Sequence, residues 1–330
     1  MADPHILIPH LLSPSAIATR IADGRVIALG GRTMGTSWSA RIAARAALPD
    51  AGPALQALLD RIVAEMSHWE PTSDLCRFNR LPAGAWQALP ADFFTVLRRA
   101  IDIAAESDGA FDPTMGRLVD LWGFGPAPAS LAPPSDGDVA AALAASGYRR
   151  MAIDIHGRRA CQPGDLALDF SGIAKGYAVD MLADALRQAG YRHFLVEVGG
   201  ELVGEGVMPD GQPWWVDLET PPEAPVPPAR IALHGLAVAT SGDYRRFFDH
   251  GGRRYAHSLD PRTGRPVENG VAAVSVVHTR CMDADAWATA LTVLGIEAGM
   301  ALATQKRLAA RFISNEGREA FSPALAEMLD

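Results

Sequence analysis

Leu168-Asp169-Phe170-Ser171-Gly172-Ile173-Ala174-Lys175-Gly176-Tyr177-Ala178-Val179-Asp180 is the stretch around which this chain is organised. The apolar run Leu166, Ala167, Leu168 reads as the end of a strand. The chain then breaks at Ser171-Gly172, and apolar residues recur at Ile173, Ala174, Tyr177, Ala178, Met181, Leu182, Ala185, Leu186 and Ala189. That spacing predicts a helix, with Gly190 as its stop. A strand feeding a helix through a glycine turn leaves free backbone N–H groups there, which favour an anion such as a phosphate. Lys175 in the first helical turn and Asp169 at the strand end bring a cation and an anion to the same point. The same residues equally describe an ordinary strand–helix unit with a surface lysine.

Composition narrows the choice. A chain of 330 residues, 48% hydrophobic and 21% charged, has the makeup of a globular protein with a well-buried core. A formal net charge of −8 argues against a nucleic-acid surface, which requires a basic face. A phosphate-bearing ligand must therefore be neutralised locally, by a metal, a lysine or helix termini. Lys175 and Lys306 are the only lysines among 30 basic residues, so an ammonium group at the helix start stands out against the arginines. Cys76, Cys161 and Cys281 are far apart, odd in number and without metal spacing, and read as free thiols. The start has no basic segment, no long apolar core and no cysteine placed for lipid attachment; residues 6–12 are short and interrupted by proline. As it stands, the chain is expected to be cytoplasmic with no direct membrane span, or periplasmic where an export segment has been removed.

Residues 1–24 read as a loose lead-in to a single domain over 25–330. Strands are expected over 25–29 and 37–42, and amphipathic helices over 53–68 and 92–106. Proline-rich loops fall near 125–138 and 220–228, with a helix over 139–145. Residues 194–198 and 201–207 flank Gly199-Gly200 and read as a hairpin. Further strands are expected near 230–233, 237–240 and 271–278, and a helix over 283–294 stopped by Gly295. Runs of strands with scattered helices indicate an α+β fold rather than regular βαβ alternation.

Asp285 and Thr289 lie four residues apart on the expected 283–294 helix, so both oxygens face one side. A carboxylate and a hydroxyl, completed by a carbonyl and phosphate oxygens, make a hard-oxygen set suited to Mg²⁺. Equally, Asp283 caps that helix and Asp285 is a first-turn acid favoured by the dipole. His257, just before the Asp260-Pro261-Arg262-Thr263-Gly264 turn, is a candidate base, a phosphate contact or a packed histidine.

Taken together and in order, these motifs carry more. Thr33-Met34-Gly35-Thr36, Ser73 with Arg77-Phe78-Asn79, Phe111-Asp112-Pro113-Thr114 through Trp122-Gly123-Phe124-Gly125, the Asp169–Tyr177 stretch, Gly199-Gly200, Thr240-Ser241-Gly242, His257 with Asp260-Pro261 and Thr263-Gly264, and Asp285 with Thr289 resemble the ApbE family of FAD:protein FMN transferases. The resemblance runs from about residue 31 to residue 295. It implies a T-fold-like α+β architecture with mixed or antiparallel sheets, which binds FAD as substrate and Mg²⁺ as cofactor. It also implies transfer of FMN from FAD to a threonine or serine hydroxyl of a target flavoprotein, with release of AMP. Carried over by position, Met34, Trp69, Ala110, Phe111, Asp112, Asp169, Lys175, Ser241 and Leu259 look like FAD contacts. Gly172 through its carbonyl, Asp285 and Thr289 look like the metal ligands. Trp69 stands where tyrosine is common and Ser171 where glycine is frequent.

For such a transfer Lys175, the helix N-terminus and a metal on Asp285 would neutralise the diphosphate, and His257 or a metal-near aspartate would take the hydroxyl proton. The alternatives are Mg²⁺-dependent hydrolysis of FAD to FMN and AMP, and a flavin-binding protein without turnover.

Overall fold

A computed structural model describes residues 4–9, 14–126, 132–222 and 224–330. Residues 1–3, 10–13, 127–131 and 223, which belong to the expected lead-in and to the two proline-rich loops, lie outside the described residues. Eight strands build the principal sheet, and they lie side by side in the order in which the chain makes them. They are β1 (Arg25–Thr33), β2 (Thr36–Ala44), β3 (Phe194–Val198), β4 (Glu201–Glu205), β5 (Leu236–Gly242), β6 (Val271–His278), β7 (Ala309–Ser314) and β8 (Glu319–Phe321). Every neighbouring pair is antiparallel. Two-residue turns close the first two hairpins, Met34-Gly35 at φ 48° and 73° and Gly199-Gly200 at φ 62° and 104°. Positive φ at both central residues matches the twist of the flanking strands.

Four long helices carry the core: α1 (Ala51–Met66), α2 (Ala91–Glu106), α3 (Ala174–Gln188) and α4 (Cys281–Lys306). α3 packs on β3, β4 and α1, and α4 on β5, β6 and β7. The opposite face of the sheet is covered too. Ala229–Leu233 pairs with His5–Leu7 and Trp214–Leu218, and their apolar residues pack on Leu195, Val238 and Val277. A sheet buried on both faces has near-continuous apolar strands, which is what β5 and β6 show. The architecture is α+β, as the order of elements indicated.

Two expectations change. The lead-in is tied down by His5–Leu7, whose Leu7 is fully buried. Residues 166–168 form only an isolated bridge, Met115 to Ala167. Side chains take their backbone groups instead: Gln162 Oε1 accepts from Leu166 N, while Asn79 accepts from Leu168 N and donates to Leu168 O. Gly295 stops the first helical stretch of α4 as expected (φ 81°, ψ 176°), a second stretch continues beyond it, and Asn269 Nδ2 donates to the freed carbonyls of Thr292 and Val293. By length and composition α4 resembles a membrane span, but 56% of its most apolar window is buried against the sheet and α3.

α3 and α4 begin beside each other and share their first-turn hydrogen bonds. Asp180 on α3 accepts from Cys281 N and Met282 N of α4, at 2.9 and 3.0 Å. Asp285 on α4 accepts in return from Gly176 N of α3 at 3.0 Å. Gly176 is required at this crossing, because a β-carbon there would lie 2.3 Å from the Cys281 carbonyl oxygen. Asp180→Ala strands two buried N–H groups and should cost about 2–5 kcal/mol of stability. A urea midpoint lowered at unchanged slope is the expected measurement; a midpoint equal to wild type would mean that the two helices hold together without this carboxylate.

Candidate active site

The glycine turn before α3 and the first turns of α4 meet at one end of the sheet. Asp285 is 4% exposed, with Oδ2 bonded to Gly176 N. Thr289 follows one helical turn later, its Oγ1 3.2 Å from Ser241 Oγ at the end of β5. A β-carbon on Gly172 would lie 2.9 Å from Thr289 Oγ1 and 3.4 Å from Phe111 Cε2. Gly172, Asp285, Thr289, Ser241 and Phe111, drawn from four separate stretches, therefore come together. Among the described residues no group of three or more His, Cys, Asp or Glu gathers as a metal site. A cation here would rest on one carboxylate with neutral oxygens, the donor set that suits a hard divalent ion completed by substrate and water.

Lys175 extends beside this group, its Nζ 2.5 Å from Glu201 Oε1. Burial pulls the Lys175 ammonium down, but the Glu201 and Asp285 carboxylates outweigh it and leave the pKa raised. Burial pushes both carboxyls up, while Lys175 pulls them back. Arg245 reaches the same neighbourhood but is committed to Glu219 through its Nε and Nη2, with Nη1 on the Gly199 carbonyl. One ammonium shared between two buried acids leaves both carboxyls raised, Glu201 to about 7, and a further cation beside them would favour their ionised forms.

The other expected residues differ in exposure and partners. His257 Nδ1 lies 3.1 Å from the Arg246 carbonyl, which can only accept, so the proton sits on Nδ1 and Nε2 carries the lone pair. Burial, with Arg246, Lys175 and Arg245 nearby, pushes the His257 pKa down to about 4, so the ring is neutral near pH 7. Trp69 is 54% exposed beneath the Arg246 guanidinium, 5.5 Å from its ring centre. Leu259 packs with Trp122, Phe124 and Phe248 in a small cluster. Met34 sits at the hairpin tip, where Thr36 and Ser37 abut Gly199. Asp169 Oδ1 accepts from Ser171 N and Oγ, bracing the glycine turn. Ala110 is buried. Asp112 is engaged elsewhere: its oxygens take Thr114 N, Thr114 Oγ1 and Tyr148 N.

Residues 34–312 match the model of the ApbE family. The chain belongs to the ApbE family. An FAD:protein FMN transferase of Vibrio cholerae serotype O1 is 38% identical over 285 residues, covering 85% of each chain. One of Salmonella typhimurium is 35% identical over 297 residues, 88% of this chain and 84% of the relative. Among solved structures, apo flavinyl transferase ApbE of Pseudomonas stutzeri superposes with a TM-score of 0.84 at 39% identity, covering 92% of this chain and 97% of that one. Flavin transferase ApbE of Vibrio cholerae gives 0.86 at 35% identity, over 93% and 100%. This ApbE-family chain is a transferase.

Sequence reasoning missed four residues of the site: Glu201, Arg245, Asp180 and His68. Glu201 had a readable signal, since pairing with Val198 puts it on the helix-facing side with Val203. Arg245 had none in a chain whose bases are nearly all arginine. His68, 8% exposed, has Nε2 3.3 Å from Asp120 Oδ1 and Nδ1 3.8 Å from Asp169 Oδ1. Burial lowers its pKa, but the two carboxylates prevail and the net shift is upward. A raised histidine pKa stabilises the fold below the unfolded value of about 6.5, and that contribution disappears as pH rises through the folded value. The stability gap between wild type and His68→Gln should therefore be widest near pH 6 and narrow by about pH 9, measured by urea unfolding. A gap that widens with pH would show the imidazole to be neutral in the fold.

Proposed function

We propose that this ApbE-family transferase moves FMN from FAD onto a threonine or serine hydroxyl of a target flavoprotein, releases AMP, and uses Mg²⁺. The carrying observation is the meeting of Asp285 with the helix start at Gly176, beside the Lys175 ammonium. The identities with named FAD:protein FMN transferases support the same substrate.

In the proposed reaction the acceptor oxygen bonds to the FMN-side phosphorus of FAD. The bond from that phosphorus to the bridging oxygen breaks, AMP leaves with that oxygen, and the hydroxyl proton passes to a base. Lys175 faces the diphosphate and offsets its charge, whereas Ile173 N and Ala174 N at the helix start already donate to the Phe170 carbonyl and Gly176 N to Asp285. Asp285, Thr289 and the Gly172 carbonyl would hold Mg²⁺, which when bound supplies Lewis-acid neutralisation of the phosphoryl oxygens. Neutral His257 is the group to receive the proton, at Nε2. Trp69 offers an exposed ring for stacking on a flat heterocycle.

Incubation with FAD, Mg²⁺ and a co-encoded flavoprotein should give AMP together with an FMN-sized mass increase on the acceptor. AMP with free FMN alone would make the protein a hydrolase, and no AMP at all would overturn catalysis. Asp285→Ala should lower Mg²⁺-dependent turnover by about 10²-fold or more while FAD still binds. Lys175→Ala should weaken FAD binding or turnover about 10–100-fold with cooperative unfolding intact. Unchanged turnover in Asp285→Ala would count against the metal assignment, and loss of cooperative unfolding in Lys175→Ala would make that lysine structural.

A further inference from the structure

Arg246 stands at the open end of the hairpin formed by Phe247–His250 and Arg253–Ala256, one position beyond the pair Phe247 and Ala256. The register continues through it, because His257 N donates to the Arg246 carbonyl at 3.0 Å. The same carbonyl takes the His257 ring at Nδ1, 3.1 Å away. One main-chain oxygen therefore fixes both the backbone and the imidazole of His257. The Arg246 side chain reaches two other stretches of chain. Its Nη2 donates to the Phe124 carbonyl at 2.9 Å, and its guanidinium lies 5.5 Å from the Trp69 ring centre, within cation–π range. The Phe124 ring in turn stands edge-on to the His257 ring at 6.3 Å. Trp69, Phe124 and His257, distant in sequence, all touch Arg246.

A planar guanidinium can lie on an aromatic face and hydrogen-bond at its edge at the same time, which a compact ammonium does not do. Arg246 uses both capacities, and its partners are a ring and a carbonyl rather than a carboxylate. With one face of Trp69 covered, the other is left for a flat heterocycle, on a ring already held in place. The charge of Arg246 also bears on the imidazole. Burial lowers the His257 pKa first and the bond to the Arg246 carbonyl opposes it; the positive charges of Arg246, Lys175 and Arg245 then lower it further, to about 4. Resting on the transferase reading above, we propose that Arg246 is a positioning residue that ties the flavin-stacking ring of Trp69 to the proton-accepting Nε2 of His257. Its side chain steadies the ring, and its main chain and charge keep the imidazole oriented and neutral.

The test uses the intact protein with Arg246→Gln, Arg246→Lys, Trp69→Ala and the double variant Arg246→Gln/Trp69→Ala. The His257 titration is followed by NMR, its signal assigned by its absence from His257→Asn, and needs neither substrate nor turnover. FAD binding is read by quenching of flavin fluorescence. Arg246→Gln should raise the His257 midpoint by about 0.5–1 pH unit, whereas Arg246→Lys, which keeps the charge, should stay within about 0.3 unit of wild type. FAD Kd should rise about threefold in Arg246→Gln and about tenfold in Trp69→Ala. The double variant should bind FAD no more weakly than Trp69→Ala, because the arginine acts through the ring. An unmoved midpoint in Arg246→Gln, an equal shift in Arg246→Lys, or losses of FAD affinity that multiply in the double variant would each overturn the link. Where the arginine variants fail to fold, Trp69→Ala decides, since that ring is 54% exposed. It removes no charge, yet releasing the guanidinium should move the His257 midpoint by more than about 0.3 unit, and an unmoved midpoint would overturn the link. A wild type that neither binds FAD nor modifies an acceptor would instead sink the transferase reading, with the His257 titration still judging the link.

Discussion

The exchange of hydrogen bonds between α3 and α4 is the constraint from which the rest of the site follows. Asp180 and Asp285 each satisfy first-turn N–H groups of the other's helix, across 102 and 109 residues of chain. Helix starts carry unsatisfied donors and a positive dipole end, so a carboxylate from a neighbouring helix is a favourable partner for both. The two starts can approach this closely because residue 176 is glycine, with a would-be β-carbon only 2.8 Å from Asp285 Cβ. Once the helices are held in this way, Thr289 and Ser241 fall beside the Gly172 turn, and Lys175 is directed along the end of the sheet.

Electrostatics then divides the site into two halves. One half gathers oxygens: Asp285, Thr289, Ser241 and the Gly172 backbone. The other sets Lys175 against Glu201, with Arg245 held by Glu219 behind the glycine hairpin. Burying these charges is tolerable only when each is paired, and the described residues leave the carboxylates in excess. A divalent cation would offset the carboxylates and let a diphosphate approach, whereas a diphosphate alone would add to the negative charge. His257 is a neutral ring because burial, and after it the positive groups nearby, disfavour its protonation.

Much of this was legible in the residues. Helical spacing from Ile173 to Ala189 and the four-residue offset of Asp285 and Thr289 are local patterns, and they survive folding. The pseudo-strand at 166–168 was not, because its apolar run has partners in the side chains of Gln162 and Asn79 rather than in a neighbouring strand. Gly295 stops the first stretch of α4 as its chemistry indicates, but the distant Asn269 that caps the released carbonyls was not legible from the local pattern. Asp112 lies in a motif the family resemblance marks for FAD, yet its own turn engages one carboxylate oxygen and the distant Tyr148 N–H the other. Glu201 shows what strand parity could have revealed: an acid on the core side of a buried hairpin is a costly placement that calls for a partner.

The central claim is that a divalent ion and a dinucleotide diphosphate meet between the α4 carboxylate and the α3 helix start. Anomalous diffraction from crystals of the protein soaked with Mn²⁺ and ADP tests it directly, since ADP carries a diphosphate but no transferable FMN. The manganese peak should lie among Asp285, Thr289 and the Gly172 carbonyl, with the diphosphate beside Lys175. A peak, or a diphosphate, bound away from the Gly172 turn would contradict the account.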